Sequence, residues 1–436
     1  MSGRGSRGFA WPLAAIVLLG AVVRIVFALT QQQHVPLGGD AYVYTAGAKA
    51  LASGRGWIDP YGGFRTIPTA SHPPLYMVWL WIPAFFADGH FVSQLANMLW
   101  SCIPGTATVL LCGLAGREIA GRTTGLVAAA LAAVYPGLWV YDGLLLSETT
   151  AVFAAAGVIL FAYRYRNRPS LARAVWLGAW CGLATLARSE LALTFVLVLL
   201  PLLVLTKDRE WKVRVSWLVV AGVVGWLVVS PWLVFNAGRF HQTVFLSTSA
   251  GRTMAAANCP ATYKGPLLGF KSYACLNDAT KPYAGRRYDD SDRDKLLRGD
   301  SFQFMKDHWG QLPQVFAARV GRILDVYQPR QEIRLNGYYH VQGRVATELQ
   351  FWLFYPVAVL AVVGAFVLRR RRTLLFPLLA FPVMTLISVL STFAQWRYRA
   401  ASEPALVLLA AVAITYLYER FARTRSTAAQ SNLTAE

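Results

Sequence analysis

Acidic, basic and imidazole side chains that could carry chemistry recur at the ends of the apolar segments of this chain. Ionisable groups in or beside membrane-spanning helices are costly, so each of them is a functional candidate. The set comprises Asp40, His72, Asp142, Glu148, Glu190, Arg397, Arg399 and Glu403. The charge pattern places all of them at helix ends on one side of the membrane, which indicates a site at that interface. A transporter would instead place charges near the midplane and show a repeated half.

Asp40 follows Gly38 and Gly39, and these glycines allow a sharp turn as the backbone leaves an apolar segment. A partly desolvated carboxylate at such a place could act as a general base that accepts a proton from an acceptor hydroxyl. The alternative is a helix cap, because the segment AYVYTAGAKALASG that begins at residue 41 has a helical pattern. Both interpretations are compatible with the sequence.

Glu148, in YDGLLLSETT, begins an apolar segment on the same side. One interpretation is a capping arrangement, with Ser147 as the cap and an acid in the first turn. The other is a second catalytic carboxylate, which would orient the acceptor, position Asp40 or hold a divalent cation. Asp142 and Glu403 are secondary candidates on the acceptor side. No particular metal and no resident cofactor is predicted.

Three cationic candidates suit a phosphate group. His72 precedes two prolines that fix an extended backbone, so it could donate to a phosphate at headgroup depth; a structural histidine bonded to a backbone carbonyl is the alternative. Arg397 and Arg399, in QWRYRAASEP, suit a phosphodiester because a guanidinium binds phosphate oxygens in a bidentate manner. Their alternative is interfacial snorkelling, with Glu403 as a salt partner.

The amino-acid composition indicates whether these side chains belong to a soluble protein or to a membrane protein. The chain of 436 residues is 56% hydrophobic and 15% charged, whereas soluble domains carry about 25% charged residues. This predicts a polytopic membrane protein. The net charge of +20 lies in short basic clusters between apolar runs, as membrane topology requires, and so argues against a nucleic-acid partner.

Ten membrane-spanning helices are predicted from the apolar runs. Their expected ranges are Trp11–Thr30, Phe91–Ala115, Thr124–Tyr141, Thr149–Tyr163, Ala174–Ala187, Leu191–Leu205, Ser216–Phe235, Phe351–Leu368, Thr373–Phe393 and Ala405–Tyr418. Every second connection is basic, which places both termini in the cytoplasm. A spanning helix at Leu75–Phe86 would invert all later loops, so this segment is predicted to be an interfacial or re-entrant helix on the outer surface.

The long polar stretch 236–350 is predicted to form an extracytoplasmic subdomain, with amphipathic helices near Asp292–Trp309 and Leu312–Tyr327. It follows a transmembrane module over residues 1–235, whose first outer loop spans 31–90, and precedes three helices over 351–420 and a cytoplasmic tail over 421–436. Cys259 and Cys275 both lie in the stretch, where an oxidising compartment would permit a structural disulfide; two unpaired thiols are the alternative.

The order of several motifs resembles the GT-C membrane glycosyltransferases, and in particular the bacterial family 39-like and aminoarabinose-transferase-like branch. The motifs are GGDAYVY, SHPPLY, LLSE, GLATLARSE, SPWLVFNAGRFHQTVFLSTSAG and RYRAASEP. The resemblance implies an all-α polytopic GT-C fold in which residues 1–235 form the shared seven-helix module. It also implies that Asp40 is the catalytic base and that Glu148 assists it. His72 stands where the aminoarabinose branch has a phosphate-binding lysine.

The chemistry of the candidate residues is consistent with what the resemblance implies. A sugar on a polyprenyl phosphate has an anionic, stable leaving group, so one base and cationic phosphate ligands suffice for an inverting displacement. We therefore expect transfer of a sugar from a polyprenyl-phosphate donor to a glycan, glycolipid or protein acceptor at the outer face of the plasma (inner) membrane. A lipid or solute transporter is the main alternative, and a non-catalytic membrane scaffold is the third.

Overall fold

The computed structural model describes residues 3–32, 38–62, 66–87, 92–205, 209–285, 287–340 and 342–433. Within these ranges the chain is helical and forms no β-strand, and its isolated backbone bridge pairs Ile58 with Pro68. The predicted all-α fold is confirmed. The predicted first outer loop, the start of the second predicted span at Phe91 and the last three residues of the tail lie wholly or partly outside the described residues.

Eighteen α-helices are described within these ranges. They are α1 (Gly3–Phe27), α2 (Gly39–Ala52), α3 (Leu75–Phe86), α4 (Gln94–Ala120), α5 (Arg122–Val134), α6 (Glu148–Asn167), α7 (Leu171–Ala187), α8 (Leu200–Leu205), α9 (Trp211–Asn236), α10 (Ala250–Ala257), α11 (Pro260–Tyr263), α12 (Tyr273–Thr280), α13 (Asp290–Asp307), α14 (Leu312–Ile323), α15 (Pro329–His340), α16 (Arg344–Arg370), α17 (Phe376–Ser391) and α18 (Glu403–Leu433).

Each of the ten predicted spans coincides with helical structure, and five helical segments of the described chain are long and apolar enough to cross a membrane. These five are Gly8–Thr30, Gln94–Ala120, Trp211–Asn236, Arg344–Arg370 and Trp396–Ala422. The others are shorter, such as Ser189–Leu205, which combines 3-10, π and α turns. The number of spans therefore stays a prediction.

The third predicted span, Thr124–Tyr141, is too long at its C-terminal end. Helix α5 ends at Val134, because Pro136 forces the preceding Tyr135 out of the helical region, to φ −75° and ψ 119°. A short 3-10 turn follows at Pro136–Leu138, and the irregular segment from there to Ser147 is buried. This buried segment delivers Glu148 to the start of α6.

Glycines allow two of the long helices to approach closely. A Cβ atom on Gly178 of α7 would lie 2.0 Å from the carbonyl oxygen of Ala221 on α9, and one on Gly182 would lie 2.6 Å from that of Gly225. Small residues four apart on facing helices are a common packing device in membranes, where close backbone contact replaces the hydrophobic driving force. This contact holds α7, whose C-terminal end carries Arg188, against the rest of the bundle.

Helices α10 to α15 form a helical layer that follows α9 in the chain and precedes α16, and within it α10 packs against α12 and α13. Helices are present at both predicted places, as α13 and α14, with ends shifted by a few residues. Helix α14 is amphipathic as predicted, whereas α13 is not, because three of its four buried residues are polar. Cys259 and Cys275 are joined by a disulfide in this layer. A backbone hydrogen bond of 3.2 Å from Ala394 to Gly269 attaches the loop that the disulfide closes to the segment preceding α18. That segment carries Arg397, so the layer and the site residues are directly connected.

Candidate active site

Arg397 links the two carboxylates that the sequence singled out as catalytic candidates. Its Nη1 lies 2.6 Å from Oδ2 of Asp40, and its Nε lies 2.6 Å from Oε1 of Glu148. The three residues come from α2, from the start of α6 and from the 3-10 segment Trp396–Ser402. The fold therefore brings together three residues that are far apart in the chain.

The start of α2 determines where Asp40 points. Gly38 occupies the N-cap position, and Gly39 adopts φ +54°, a conformation that favours glycine. Asp40 lies in the first turn, and its carboxylate binds Arg397 instead of capping the helix. Partial burial by itself raises the pKa of Asp40, but Arg397 and His72 outweigh burial and hold the pKa well below its ordinary value. The carboxylate is thus ionised and about one third of it remains exposed.

His72 lies beside the other oxygen of the same carboxylate. Its Nε2 is 3.5 Å from Oδ1 of Asp40, and its Nδ1 is 3.0 Å from the hydroxyl oxygen of Ser71. When the Ser71 hydroxyl donates to Nδ1, the ring proton sits on Nε2 and faces Asp40. The ring also packs edge-on against Tyr44 of α2, with centroids 4.9 Å apart. His72 therefore contacts Asp40 through one ring nitrogen and Ser71 through the other.

Glu148 is fully buried and is held by two guanidinium groups. Arg188, at the end of α7, donates to the same oxygen that accepts from Arg397, and its Nε donates to Glu190 at 2.5 Å. The second oxygen, Oε2, accepts no hydrogen bond among the described residues. Neither the Ser147 side chain nor the Glu148 carboxylate makes a capping bond. An ion-pair chain thus runs from Asp40 through Arg397, Glu148 and Arg188 to Glu190.

Arg399 and Glu403 belong to a different cluster. Nε of Arg399 donates to Glu403 at 2.7 Å, and its Nη1 donates to Asp325 at 2.8 Å and to the carbonyl of Ile323 at 2.7 Å. Tyr135 adds a hydrogen bond to Glu403. Arg399 is 4% exposed, so two carboxylates inside the protein already match its charge. The structure does not bring Arg399 or Glu403 to Asp40, and this geometry favours a structural role that joins α18 to the end of α14.

Asp142 is also placed away from Asp40. Its carboxylate lies 2.9 Å from Nε of Arg24 on α1, and both side chains are buried. Arg24 additionally donates to the carbonyl of Leu138 at 3.3 Å, in the segment that follows the break in α5. The pair fastens the irregular segment before Glu148 to α1. Asp142 therefore positions this segment, and its ion-pair partner among the described residues is Arg24, not an arginine of the Asp40 site.

Lys271 lies next to this site, although the sequence did not single it out. Its Nζ donates to Oε1 of Gln395 at 3.1 Å and to the hydroxyl of Tyr273 at 3.2 Å, and its residue is 6% exposed. Burial lowers the pKa of Lys271 to about 7; Arg397 lowers it further and Asp40 opposes this. A lysine in a long charged loop is typical of an exposed surface. The apolar residues around Lys271, in LLGFKSYAC, are the feature of the sequence that indicates its burial.

The two candidate carboxylates, Asp40 and Glu148, do not converge on one point in this arrangement. Metal ligands must converge on one point, whereas Arg397 lies between Asp40 and Glu148 and binds an oxygen of each. Among the described residues, one group with metal-ligand spacing comprises His241, Asp289 and Asp292. It lies at the start of α13, where Asp289 and Asp292 form a capping box.

Comparisons with known proteins agree with this architecture. Residues 71–235 match the family described as dolichyl-phosphate-mannose-protein mannosyltransferase. The chain is similar to the oligosaccharyltransferase AglB from Archaeoglobus fulgidus, solved with an inhibitory peptide and a dolichol-phosphate, with a TM-score of 0.56 and 16% identity over 98% of this chain and 52% of that chain. No curated protein sequence matches at a significant level.

Two further solved structures extend the comparison. The same oligosaccharyltransferase in complex with Zn and sulfate gives a TM-score of 0.55 at 16% identity, with 96% of this chain and 51% of that chain covered. ArnT from Cupriavidus metallidurans bound to undecaprenyl phosphate gives 0.46 at 15% identity, with 93% and 78% covered. The chain spans about half the length of the archaeal enzyme. The chain thus has the fold of the GT-C membrane glycosyltransferases, and its predicted resemblance to that superfamily is confirmed.

Proposed function

We propose that the protein is an inverting glycosyltransferase that moves a sugar from a polyprenyl-phosphate donor to an acceptor hydroxyl at the outer face of the membrane. The observation that carries this proposal is the contact of Arg397 with both Asp40 and Glu148, because it places a phosphate-binding guanidinium beside a partly exposed carboxylate. The family match and the archaeal structure with a dolichol-phosphate support the same donor class.

Asp40 acts as the base in the proposed reaction. The acceptor oxygen attacks the anomeric carbon, Asp40 takes the hydroxyl proton, and the bond between the anomeric carbon and the phosphate oxygen breaks. The electron pair of that bond leaves with the polyprenyl phosphate, whose charge becomes more negative. No general acid is needed, because a phosphate is a stable leaving group without a proton. Attack from the side opposite the phosphate inverts the configuration.

Binding of the donor activates the base in this arrangement. In the empty site Arg397 and His72 hold the pKa of Asp40 low, so the carboxylate is ionised but a weak base. A donor phosphate competes for the Arg397 guanidinium, because bidentate phosphate binding uses the same N–H groups. As that contact weakens, the basicity of Asp40 rises. Proton transfer is therefore favoured only after the donor has bound.

Glu148 keeps Arg397 in place during this exchange. Its buried carboxylate binds Nε of Arg397, whereas Asp40 binds Nη1, so the two contacts use different edges of the guanidinium. The phosphate can replace Asp40 at one edge while Glu148 holds the other. Arg188 offsets part of the charge of Glu148 and thereby reduces the cost of burying it.

The finer features of the proposal follow from the sequence. The transferred group is a hexose or a pentose, and the acceptor is a glycan, glycolipid or protein of the cell envelope. Residues 1–235 form the shared module and both termini lie in the cytoplasm. The segments 236–350 and 351–420 select the acceptor, and the second of them also supplies Arg397 to the donor phosphate. The alternation of basic connections supports this orientation in the plasma (inner) membrane.

A sealed-vesicle experiment separates this function from transport. The purified protein is reconstituted into proteoliposomes that contain a polyprenyl-phosphate sugar fraction and an envelope acceptor fraction from the source organism. We expect mass spectrometry to find an acceptor heavier by one sugar residue, together with free polyprenyl phosphate. Movement of the lipid or of a solute across the bilayer without a new glycosidic bond would support a transporter and contradict the proposal.

A further inference from the structure

The site holds too little positive charge to balance a bound phosphate. Asp40, Glu148 and Glu190 contribute three negative charges, and Arg188 and Arg397 contribute two positive ones, so this ion-pair chain carries 2 − 3 = −1. A donor phosphodiester brings one more negative charge, and the phosphate monoester that leaves carries about −1.5 to −2. The two guanidiniums are already matched by carboxylates. With His72 in its neutral form, the site therefore needs a further cation when the leaving group departs.

Lys271 is positioned to provide that charge. Its Nζ binds Gln395, two residues before Arg397, and the hydrogen bond from Ala394 to Gly269 fixes its loop to the same segment. The ammonium also lies near the rings of Tyr273 and Phe393, at 5.0 and 5.3 Å from their centroids. These contacts come from neutral groups that orient the lysine toward the segment that holds Arg397. The disulfide between Cys259 and Cys275 closes the loop around it.

We propose that Lys271 is a second phosphate-binding residue, whose ammonium stabilises the negative charge that the leaving polyprenyl phosphate gains as its bond to the sugar breaks. The inference rests on the proposed function and assigns it a residue outside the sequence motifs. A cation at this place acts mainly in the transition state, because the phosphate becomes more negative only as the bond breaks.

Proton uptake follows from the placement of Lys271. Among the described residues, the charged groups that act on its pKa are Arg397, which lowers it, and Asp40, which raises it; the Tyr273 hydroxyl accepts a hydrogen bond from the amine. Burial and Arg397 lower the pKa of Lys271 to about 7, so a fraction of the amine is neutral in the empty site at neutral pH. An arriving phosphate anion raises the pKa and draws a proton onto the amine. Phosphate binding is then strong below this pKa and weakens as the pH rises above it.

Equilibrium binding of undecaprenyl phosphate to the purified full-length protein tests the inference between about pH 6 and pH 9. Wild-type affinity should fall by up to about tenfold per pH unit above neutrality, in the range between the pKa of the empty and the loaded lysine. Lys271→Met should bind at least about tenfold more weakly at the acidic end, because one charge-assisted contact is lost. Lys271→Arg, which stays charged, should keep its affinity at alkaline pH.

Lys281→Met is the matched control, because Lys281 follows the same loop but is exposed and paired with Asp278. Lys281→Met should bind undecaprenyl phosphate with the wild-type affinity at each pH. Because the phosphate of the lipid titrates in the same way in every experiment, it does not contribute to differences between variants. The proposed role of Lys271 would be overturned if Lys271→Met bound undecaprenyl phosphate with wild-type affinity at every pH. It would also be overturned if Lys271→Arg lost affinity at alkaline pH as the wild type does. Either result would leave the proposed function standing. A folded wild-type protein that binds no polyprenyl phosphate would overturn the donor proposal and this inference with it.

Discussion

Arg397 Nη1 lies 2.6 Å from Oδ2 of Asp40, although the two residues are 357 positions apart in the sequence. The contact joins the first polar loop to the segment before the last helix, so it depends on the assembled bundle. It also joins the two chemical roles of the proposed reaction, proton acceptance and phosphate binding.

Arg397→Met should shift the pH dependence of sugar transfer. Without the guanidinium, burial acts on Asp40 with less opposition, and the pKa of Asp40 rises. Because the base must be ionised, the acidic limb of the kcat/KM profile, which reports the enzyme without bound substrate, should move to higher pH. The maximal rate should fall by about 10²–10³, as expected when a preorganised charge partner is removed. Arg344→Met, at an 88% exposed side chain, is the control. An unchanged acidic limb would contradict the coupling.

Acid stability gives a second test of the same coupling. Asp40 has a folded-state pKa below its ordinary value, so it stabilises the fold at pH values above that ordinary value. This contribution is lost as the pH falls through the lower, folded-state pKa. Thermal unfolding of the wild type and Asp40→Asn in detergent should therefore differ most near neutrality and converge in strong acid. A difference in melting temperature between the two proteins that grows as the pH falls would contradict the lowered pKa of Asp40.

Glu148→Gln should destabilise the protein. The carboxylate is fully buried between Arg188 and Arg397, and its removal leaves two buried guanidiniums with less counter-charge. Breaking a buried ion pair in this way typically costs about 3–5 kcal/mol. Glu190→Gln is the matched control, because it also pairs with Arg188 but is 24% exposed. The melting temperature of Glu190→Gln should fall less. Equal losses in the two variants would show that the burial of Glu148 does not decide its importance.

Arg399→Met should reduce stability without a specific loss of phosphate affinity. Asp325 and Glu403 lose their buried cation in this variant, so the contact between the end of α14 and α18 should weaken. Folded Arg399→Met protein should bind polyprenyl phosphate within about threefold of the wild type, whereas Arg397→Met should bind at least about tenfold more weakly. Comparable binding losses in both variants would place Arg399 in the phosphate site.

Cys259→Ser combined with Cys275→Ser should lower both stability and phosphate affinity. The disulfide closes a loop with a sequence separation of 16, for which chain entropy predicts about 3 kcal/mol of stabilisation. Loosening this loop also releases Lys271 from Gln395. Reduction of the wild type should reproduce both effects, and the same reductant should leave the double variant unchanged. Phosphate binding that is insensitive to both treatments would separate the loop from the site.

The sequence could predict the helical architecture because apolar runs and basic connections are local signals. It also singles out Asp40, Glu148 and Arg397, which the fold brings into contact, because ionisable groups beside membrane helices are rare and costly. Hydropathy predicts a later end for α5 than the structure shows, because the residues from Tyr135 to Tyr141 are largely apolar although the helix ends before them. There the backbone geometry at Pro136 prevails over hydropathy.

The partners of the ionisable groups could not be predicted in the same way. Arg399 and Arg397 are two residues apart and have the same chemistry, yet one meets Asp325 and the other meets Asp40. Asp142 binds Arg24, which lies in the first predicted span. These pairings follow from tertiary packing between distant segments. Lys271 was missed for the same reason, since its burial depends on the contact between its loop and Gln395.

Sugar transfer by Asp40→Asn, compared with the wild type in the same proteoliposomes, tests the central claim most directly. The substitution keeps the size of the side chain and removes its capacity to accept a proton as a carboxylate. We predict loss of transfer by at least about 10²-fold, the lower range for a general base, with undecaprenyl phosphate binding and protein level retained. Transfer at the wild-type rate by Asp40→Asn would contradict the account.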